Sequence, residues 1–177
     1  MRTLKYVGAA LAVLLLGVVI AVPVLLRLSL PHLDGVIHEH GLTGAVRITR
    51  DARGVPTIEA VNRTDLAYAT GFVHAQDRFF QMDLARRLAA GELAELFGQV
   101  AVGQDRKTRL FRFRAVAREV IARGGAADRA VLEAYARGVN AGLANLGSRP
   151  WEYWLLRARP LAWRPEDTVL EIGRAHV

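Results

Sequence analysis

Apolar residues form one unbroken run near the N-terminus, over residues 7–26. A run of about 20 apolar residues can span a bilayer as a helix, whereas the apolar part of a secretory signal peptide has about 7 to 15 residues. The run therefore favours an uncleaved signal anchor at residues 1–27 over a cleaved signal peptide. Arg2 and Lys5 precede it and only Arg27 follows closely, so the positive-inside rule predicts a cytoplasmic N-terminus, with the bulk of the chain periplasmic or extracellular.

Short alternating segments follow the apolar run. Residues 36–40 and 45–50 alternate between apolar and polar positions, as half-buried strands do, and residues 57–61 repeat the pattern. Turn residues at 51–56 separate the last two segments, so a short β-hairpin is predicted there. Residues 28–35 also contain turn residues and are predicted to be a connector.

Helical spacing dominates the rest of the chain. A long helix is predicted to begin at residues 62–65, where Thr64 is the expected N-cap and Asp65 lies favourably at the positive end of the helix dipole. Its predicted apolar stripe consists of Leu66, Ala69, Val73, Phe80, Leu84 and Leu88. Gly91 interrupts this helix before a short continuation over residues 92–97.

Three more helices are predicted, at residues 105–123, at residues 128–146 and from Pro165 onward. Residues 151–156 fit a short helix or a short strand. Gly138 and Gly142 are four residues apart, which permits close helix contact, although chance gives the same spacing. Together these segments predict an α+β fold with a membrane-spanning helix, a short hairpin and a mainly helical remainder.

Composition changes this picture little. The net charge is +7, but the arginines are spread over many segments, and the densest cluster, residues 105–118, has its apolar residues at helical spacing. We expect these arginines on a solvated or ion-paired face, with contact to anionic lipid as the alternative, and we predict no nucleic-acid partner. The chain contains no cysteine, which excludes disulfides and a thiol nucleophile.

Candidate catalytic groups are few. Ser29 and Ser148 lack the sequence context of a serine hydrolase nucleophile. His74 and Asp77 are spaced as an acid–base pair on successive helical turns, but such pairs are more often structural.

A metal site is a further candidate, at His38 and His40. These residues would face one side of a strand and could bind a metal, yet a polar strand face is the favoured interpretation. No catalytic, cofactor-binding or metal-binding residue is predicted in this chain.

The segment at residues 71–87 places polar side chains within an apolar helical pattern. They are His74, Gln76, Asp77 and Arg78. Burying such groups costs a few kcal/mol each unless each finds a hydrogen-bond partner, so this segment is expected to hold something specific in place.

Five blocks of the sequence, in this order, resemble the penicillin acylase family of N-terminal-nucleophile amidohydrolases. They are RDARGVPTIEA at 50–60, GFVHAQDRFFQMD at 71–83, GELAELFG at 91–98, AYARGVNA at 134–141 and LAWRPED at 161–167. The resemblance implies that residues 28–171 are the N-terminal part of the family's α chain. It further implies that the αββα fold of these enzymes is incomplete here.

The resemblance also implies an activity. In that family a precursor cleaves itself into an α and a β chain, and the new N-terminal serine of the β chain attacks a linear amide, with its own α-amine as the base. The partner implied here is thus the missing β chain, the substrate is a small acylated amine, and this fragment alone is expected to be inactive. Calcium is implied for the complete protein only, with its α-chain ligand beyond residue 177. The alternative is a non-catalytic, membrane-anchored binding or interaction module.

The resemblance also implies a role for the segment at residues 71–87. His74, Gln76, Asp77 and Arg78 match the family motif and are expected to be buried structural groups that lock the helix to its neighbours. Residues 172–177 depart from the family, and their sequence equals the translation of a common sequencing adapter, so we expect this tail not to be biological.

Overall fold

The structure is a computed structural model that describes the backbone of residues 2–174 and the side chains of Tyr6 and of residues 11–170. Its elements are α1 (Arg2–Leu28), β1 (Arg47–Arg50), β2 (Pro56–Glu59), α2 (Arg63–Ala90), α3 (Ala94–Phe97), α4 (Gln99–Arg109), α5 (Phe113–Arg123), α6 (Ala126–Asn145), α7 (Trp151–Leu155) and α8 (Pro165–Arg174). The chain is thus mainly helical with one small sheet. The predicted adapter-derived tail at 172–177 lies mostly outside the described residues.

Helix α1 carries the apolar run. Its segment Leu11–Leu28 is long and apolar enough to cross a membrane, and none of it is buried against the rest of the chain. One such helix near the N-terminus satisfies the length and composition of a membrane anchor and of a signal sequence alike. The uncleaved anchor and its orientation therefore stay predictions.

The predicted hairpin is confirmed. Strands β1 and β2 pair antiparallel, with Ile48 opposite Ile58. The turn between them is fixed by Asp51, whose Oδ1 accepts hydrogen bonds from the backbone N–H groups of Arg53 (2.8 Å) and Val55 (2.9 Å). This Asx-type turn is closed by main-chain bonds as well, since the Asp51 N–H donates to the carbonyl oxygen of Val55 at 3.1 Å.

The strand predicted at residues 36–40 is wrong. This segment is an irregular connection in the structure, and its Glu39 accepts a hydrogen bond of 2.9 Å from the hydroxyl of Tyr68 in α2. Both apolar residues of the segment, Val36 and Ile37, are exposed (84% and 43%), so the pattern does not mark the buried face of a strand. Periodicity alone does not distinguish that arrangement from a strand.

The N-terminus of α2 is capped by Asn62 rather than by the predicted Thr64. The Asn62 side chain accepts a hydrogen bond of 2.8 Å from the backbone N–H of Asp65. Asp65 itself is buried and accepts from the backbone N–H groups of Thr43 (2.9 Å) and Gly44 (3.0 Å). The hydrogen bonds from Thr43 and its neighbours lower the pKa of Asp65, so its carboxylate ties the connector to the helix start.

Helices α2 and α6 pack with their backbones in close contact. A Cβ atom built on Gly138 would lie 1.9 Å from the carbonyl oxygen of Tyr68, and one on Gly142 would lie 2.3 Å from that of Phe72. Gly71 of α2 is equally tight, since its Cβ would lie 2.3 Å from the carbonyl oxygen of Tyr135. The close helix contact that the glycine spacing permits is therefore present, and chance does not account for the spacing.

The predicted apolar stripe of α2 is partly wrong. Leu66 is 41% exposed, and Phe80, Leu84 and Leu88 are only half-buried. The buried apolar residues of α2 are instead Tyr68, Ala69, Phe72, Val73, Ala75, Phe79, Met82 and Ala89. The buried positions 65, 68, 72, 75, 79, 82, 86 and 89 recur at steps of three and four, so one stripe does run the length of the helix, on a face next to the predicted one. Arg78 has non-helical dihedral angles (φ −154°, ψ 31°) and lies off that stripe.

The helix predicted at residues 105–123 is two helices, α4 and α5. Between them Arg112 adopts a left-handed conformation with φ 53°, which ends regular helix geometry. Asp105 of α4 accepts the backbone N–H groups of Leu93 (3.0 Å) and Ala94 (2.7 Å), which ties α4 to the start of α3. The arginines of this region are solvated or ion-paired, as predicted, with Arg106 exposed.

The other predicted helices are confirmed within two residues. They are α6, α8 and the short α7, for which the helical alternative is the right one. Tyr153 of α7 and Trp163 are buried with Phe79 and Met82 of α2 and Val139 of α6 in one apolar core. The core therefore lies along α2, between α6 and the segment that leads into α8.

The glycine contact between α2 and α6 gives a first prediction. Gly138→Ala should destabilise the chain by about 1–3 kcal/mol, as overpacking does, because the new methyl group must displace the main chain of α2. Urea unfolding of the full chain in mild detergent, followed by circular dichroism, measures this. Gly103 in α4 is the matched control, since its Cβ would meet nothing within 4 Å, and Gly103→Ala should stabilise by about 0.5–1 kcal/mol. Equal effects of the two substitutions would contradict the close contact.

Candidate functional site

The motif at residues 74–78 lies at the kink of α2 and contacts two neighbours. His74 is partly buried, with its Nδ1 2.9 Å from the hydroxyl oxygen of Tyr135 in α6 and the two rings edge to face at 5.9 Å between centroids. Burial lowers the pKa of His74, the charge of Arg78 lowers it further, and Asp77 opposes the change. The imidazole is therefore held neutral and joins α2 to α6.

Asp77 binds the hairpin rather than His74. Its two carboxylate oxygens accept from the guanidinium of Arg50 at 2.9 and 3.1 Å, a bidentate geometry that fixes both groups. Arg50 also donates to the carbonyl oxygen of Gly54 in the hairpin turn (3.0 Å). The structure therefore supports a structural role for Asp77, and it does not bring His74 and Asp77 together as an acid–base pair.

The expected burial of the motif is wrong for two of its four residues. The Asp77 side chain is 26% exposed in its pair with Arg50, and Arg78 is exposed at the kink. Both residues lie off the buried face of α2, which here carries positions 72, 75, 79 and 82, so helical spacing itself leaves them outside. His74 and Gln76 are the more enclosed pair.

Gln76 has an amide that the described residues leave unsatisfied. Its Nε2 is buried and has no hydrogen-bond partner among them. An unpaired buried amide costs about 1–3 kcal/mol. Gln76 faces an open cleft of about 620 Å³ between the connector, the hairpin and α2.

Polar groups are spaced along this cleft between apolar ones. The lining includes Glu39, Arg50 and Gln76, together with Leu33, Ile37, Val46 and Phe72. Tyr68 lies at one side, where burial, and then its hydrogen bond to Glu39, raise its pKa to about 12. Donors and acceptors beside apolar side chains suit the binding of a chain segment or a small polar molecule. The described lining holds no serine, and it pairs no base with a nucleophile.

The remaining sequence candidates do not assemble into a site. The Ser29 hydroxyl donates to the carbonyl oxygen of Leu26 (2.7 Å), and Ser148 Oγ accepts the indole N–H of Trp154 (3.1 Å). His38 and His40 lie in the irregular connector. Among the described residues no group of three or more His, Cys, Asp or Glu side chains is placed to hold a metal.

A buried ionic cluster lies further along α2, and it was not predicted. Asp83 is fully buried, and it accepts from Arg86 (2.7 Å), Arg87 (3.0 Å) and the hydroxyl of Tyr153 (2.6 Å). Burial, with the charge of Asp83 beside it, raises the pKa of Tyr153. The tyrosine therefore stays protonated and donates its hydrogen bond throughout the physiological range.

The cluster continues into α8 and α5. Asp167, 1% exposed, accepts from Arg86 at 2.7 Å and from Arg114 at 2.8 Å. Arg114 also pairs with Glu92 at 2.7 Å. Burial alone would lower the pKa of Arg114, but its hydrogen bonds to Glu92 and Asp167 raise it overall. We call Asp83, Arg86, Arg87, Arg114 and Asp167 the arginine–aspartate cluster.

A signal for the arginine–aspartate cluster was present in the sequence. Asp83 precedes Arg86 and Arg87 by three and four residues, the spacing of ion pairs on one helix face. That spacing more often marks a solvated face. Only the tertiary partners Tyr153 and Asp167 make it a buried site.

Comparison with known proteins shows what this chain is similar to. Residues 45–176 match the family described as penicillin amidase. Penicillin acylase 2 proenzyme from Pseudomonas sp. (strain SE83) is 42% identical over 149 residues, which cover 84% of this chain and 19% of that protein. The acyl-homoserine lactone acylase QuiP of Pseudomonas aeruginosa is 39% identical over 143 residues, or 80% of this chain and 17% of that protein.

A solved structure agrees with these sequence matches. The thermostable penicillin G acylase from Alcaligenes faecalis superimposes with a TM-score of 0.69 at 31% identity, over 75% of this chain and 72% of that chain. The chain spans about a fifth of the length of the curated relatives it matches, 19% in the first case.

The arginine–aspartate cluster gives a second prediction. Asp167→Asn should cost about 3 kcal/mol in the free energy of unfolding, because it removes the buried carboxylate that Arg86 and Arg114 share and leaves Asp83 and Glu92 as their remaining partners. Urea unfolding of the full chain in mild detergent is the measurement. Glu119→Gln is the control, since Glu119 and Arg123 form a pair with side chains 57% and 79% exposed, and this change should cost less than about 1 kcal/mol. A cost for Asp167→Asn no larger than that of the control would contradict the buried cluster.

Proposed function

The chain belongs to the penicillin amidase family, and on that premise we propose that it is the membrane-anchored N-terminal part of an exported amidohydrolase precursor. The observation that carries the proposal is the joint match in sequence and structure. Identity is 42% to a penicillin acylase proenzyme, and the superposition on a penicillin G acylase covers 75% of the chain. The family assignment supports an acylase; membrane anchoring and export rest on the apolar helix α1.

The proposed reaction is hydrolysis of a linear amide by acyl transfer. A nucleophile supplied by a second chain of the same precursor would attack the carbonyl carbon, and the amine would leave with a proton from the general base that activated the nucleophile. The proposed nucleophile is an N-terminal serine whose own α-amine is the base, and hydrogen-bond donors of the same chain would stabilise the oxyanion. Water then releases the acid.

The proposed role of the described residues is to support that second chain. A two-stranded hairpin is marginal in water by itself, so we propose that the rest of the precursor extends the sheet of β1 and β2. The Arg50–Asp77 pair, with its bidentate contacts at 2.9 and 3.1 Å, fixes the hairpin on α2. The His74–Tyr135 bond fixes α2 on α6. The motif would thus set the position of the sheet on which the catalytic chain builds.

The substrate class is a small acylated amine. The relatives are named penicillin acylases and acyl-homoserine lactone acylases, and their named substrates share an acyl group on an amide nitrogen. We place any calcium site in the rest of the precursor, because the described residues offer no group of ligands.

The proposed reaction gives a third prediction. The complete coding sequence, expressed with its export segment, should yield two chains by self-cleavage and should release a primary amine from an acyl-homoserine lactone or from penicillin G. Mass spectrometry of the chains and an amine-specific assay measure these. The 177-residue chain alone should release none. A complete protein that stays uncleaved and inactive, yet binds these amides, would favour the non-catalytic binding module instead.

The structural role of Asp77 gives a fourth prediction, for the complete precursor. Asp77→Ala should reduce the yield of self-cleaved protein, because the Arg50–Asp77 ion pair positions the hairpin. The loss of stability itself should be small, about 1 kcal/mol or less, since the pair is partly exposed. Turnover per cleaved molecule should not change. Arg50→Ala should act alike, and the double variant should be no worse than either single variant, since both remove one interaction.

Asp128→Ala is the control for the Asp77 variant, because Asp128 is 67% exposed and 3.8 Å from its arginine partner. It should leave the yield of cleaved protein unchanged. Normal folding and self-cleavage of Asp77→Ala with turnover abolished would refute the structural role and indicate a catalytic one.

A further inference from the structure

We propose that α7 presents a lipid-binding patch, formed by Trp151, Trp154 and Leu155, that lies in the membrane–water interface beside the end of α1. This patch rests on the proposed membrane anchoring of α1 and goes beyond it. It assigns a second contact with the bilayer, made by the folded part of the chain. The ligand is the interfacial region of a bilayer that contains anionic phospholipid.

The patch is apolar, exposed and rigidly held. Trp151 is 47% exposed, Trp154 46% and Leu155 75%. Tyr153, on the opposite face of α7, is fully buried and donates its hydroxyl to Asp83 at 2.6 Å. The buried tyrosine fixes the orientation of the helix, so the two indoles are displayed outward.

The patch lies close to the end of the apolar helix. A Cβ atom built on Gly147 would lie 3.1 Å from the carbonyl oxygen of Leu28, the last residue of α1. Three residues separate Gly147 from the start of α7, and one of them, Ser148, accepts the indole N–H of Trp154 at 3.1 Å. The loop that touches the end of α1 therefore also holds one of the exposed indoles.

The charges around the patch are mostly positive. The Arg149 guanidinium carbon lies 3.9 Å from the ring centroid of Trp154, and Arg157 and Arg159 are exposed just beyond α7. Arg27 occupies the last turn of α1, while Glu152 is the one acidic residue of α7. Basic residues near a membrane surface attract anionic lipid, at about 1 kcal/mol each.

Aromatic chemistry favours lipid as the occupant of the patch. Tryptophan concentrates at membrane–water interfaces because its ring is apolar while its N–H needs a polar partner. Both features are present here beside a helix of membrane-spanning length. A protein partner, including the rest of the precursor, would also cover apolar side chains, but the continuity with α1 and the excess of arginine fit a bilayer surface better.

Tryptophan fluorescence tests the patch directly. The chain contains three tryptophans, and the third, Trp163, is 2% exposed and serves as the internal reference. The full 177-residue chain is reconstituted into vesicles of phosphatidylcholine and phosphatidylglycerol that carry bromine atoms on the acyl chains. Bromine near the headgroup end should quench the larger part of the emission, and bromine near the bilayer centre should quench less.

Substitutions of single tryptophans identify which of them the bromine quenches. Trp151→Phe and Trp154→Phe should each reduce the quenching by bromine, and the double variant should abolish it. In the double variant Trp163 should stay shielded from acrylamide in water, and this shielding shows that the chain is folded. Phe111→Trp in the double-variant background is the matched control. Phe111 is 64% exposed between α4 and α5 and stands next to Arg112, and a tryptophan there should be open to acrylamide and unaffected by bromine.

Failure of the patch and failure of the anchor give different results. Leu16→Trp in the double-variant background reports the position of α1, and bromine at the bilayer centre should quench it most. If that tryptophan is quenched while Trp151 and Trp154 of the wild type are not, the anchor stands and the patch is refuted. If Leu16→Trp is not quenched either, the membrane anchor itself is refuted. Quenching of Phe111→Trp as strong as that of the wild type would refute the assignment to α7.

Discussion

Two carboxylates removed from water, Asp83 and Asp167, set the relation between four of the helices, α2, α5, α7 and α8. Their arginine partners come from α2 and α5, and a tyrosine comes from α7. Replacing such a buried network by apolar residues of equal volume often costs nothing, whereas breaking it by removing one partner is expensive. The arginine–aspartate cluster therefore adds specificity more than stability. Any other packing of α2, α5, α7 and α8 would leave a charge unpaired.

A second constraint is steric and complements the ionic one. Gly71, Gly138 and Gly142 let α2 and α6 approach until main chain meets main chain, and only one register of the two helices brings these glycines together. The cluster thus fixes one half of α2, and the glycines fix the other half. The kink at Arg78 lies between them, at the place where α2 holds the hairpin through Asp77.

The sequence predicts the parts of this fold that depend on local chemistry. The hairpin, α6 and α8 follow from turn residues and helix periodicity, while the spacing of Gly138 and Gly142 only permits the contact that the structure shows. Three features do not follow, namely the break at Arg112, the cap at Asn62 and the burial of Asp83. Arg112 adopts a left-handed conformation that a non-glycine residue rarely takes, and nothing in the helical spacing of residues 105–123 marks it. Of the candidate site, the motif at 74–78 is evident as a polar insertion, but its partners Arg50 and Tyr135 come from distant segments.

The distances along the chain between the partners of the arginine–aspartate cluster bear on how the chain is made. Tyr153 follows Asp83 by 70 residues, and Asp167 follows Arg86 by 81 residues. A chain that emerges from its N-terminus displays α2 long before those residues exist. Until then Asp83 has its helix neighbours Arg86 and Arg87 as partners, and the bonds to α7 and α8 must wait for the later segments. The contacts that enforce a unique packing are therefore among the last of this region to become available.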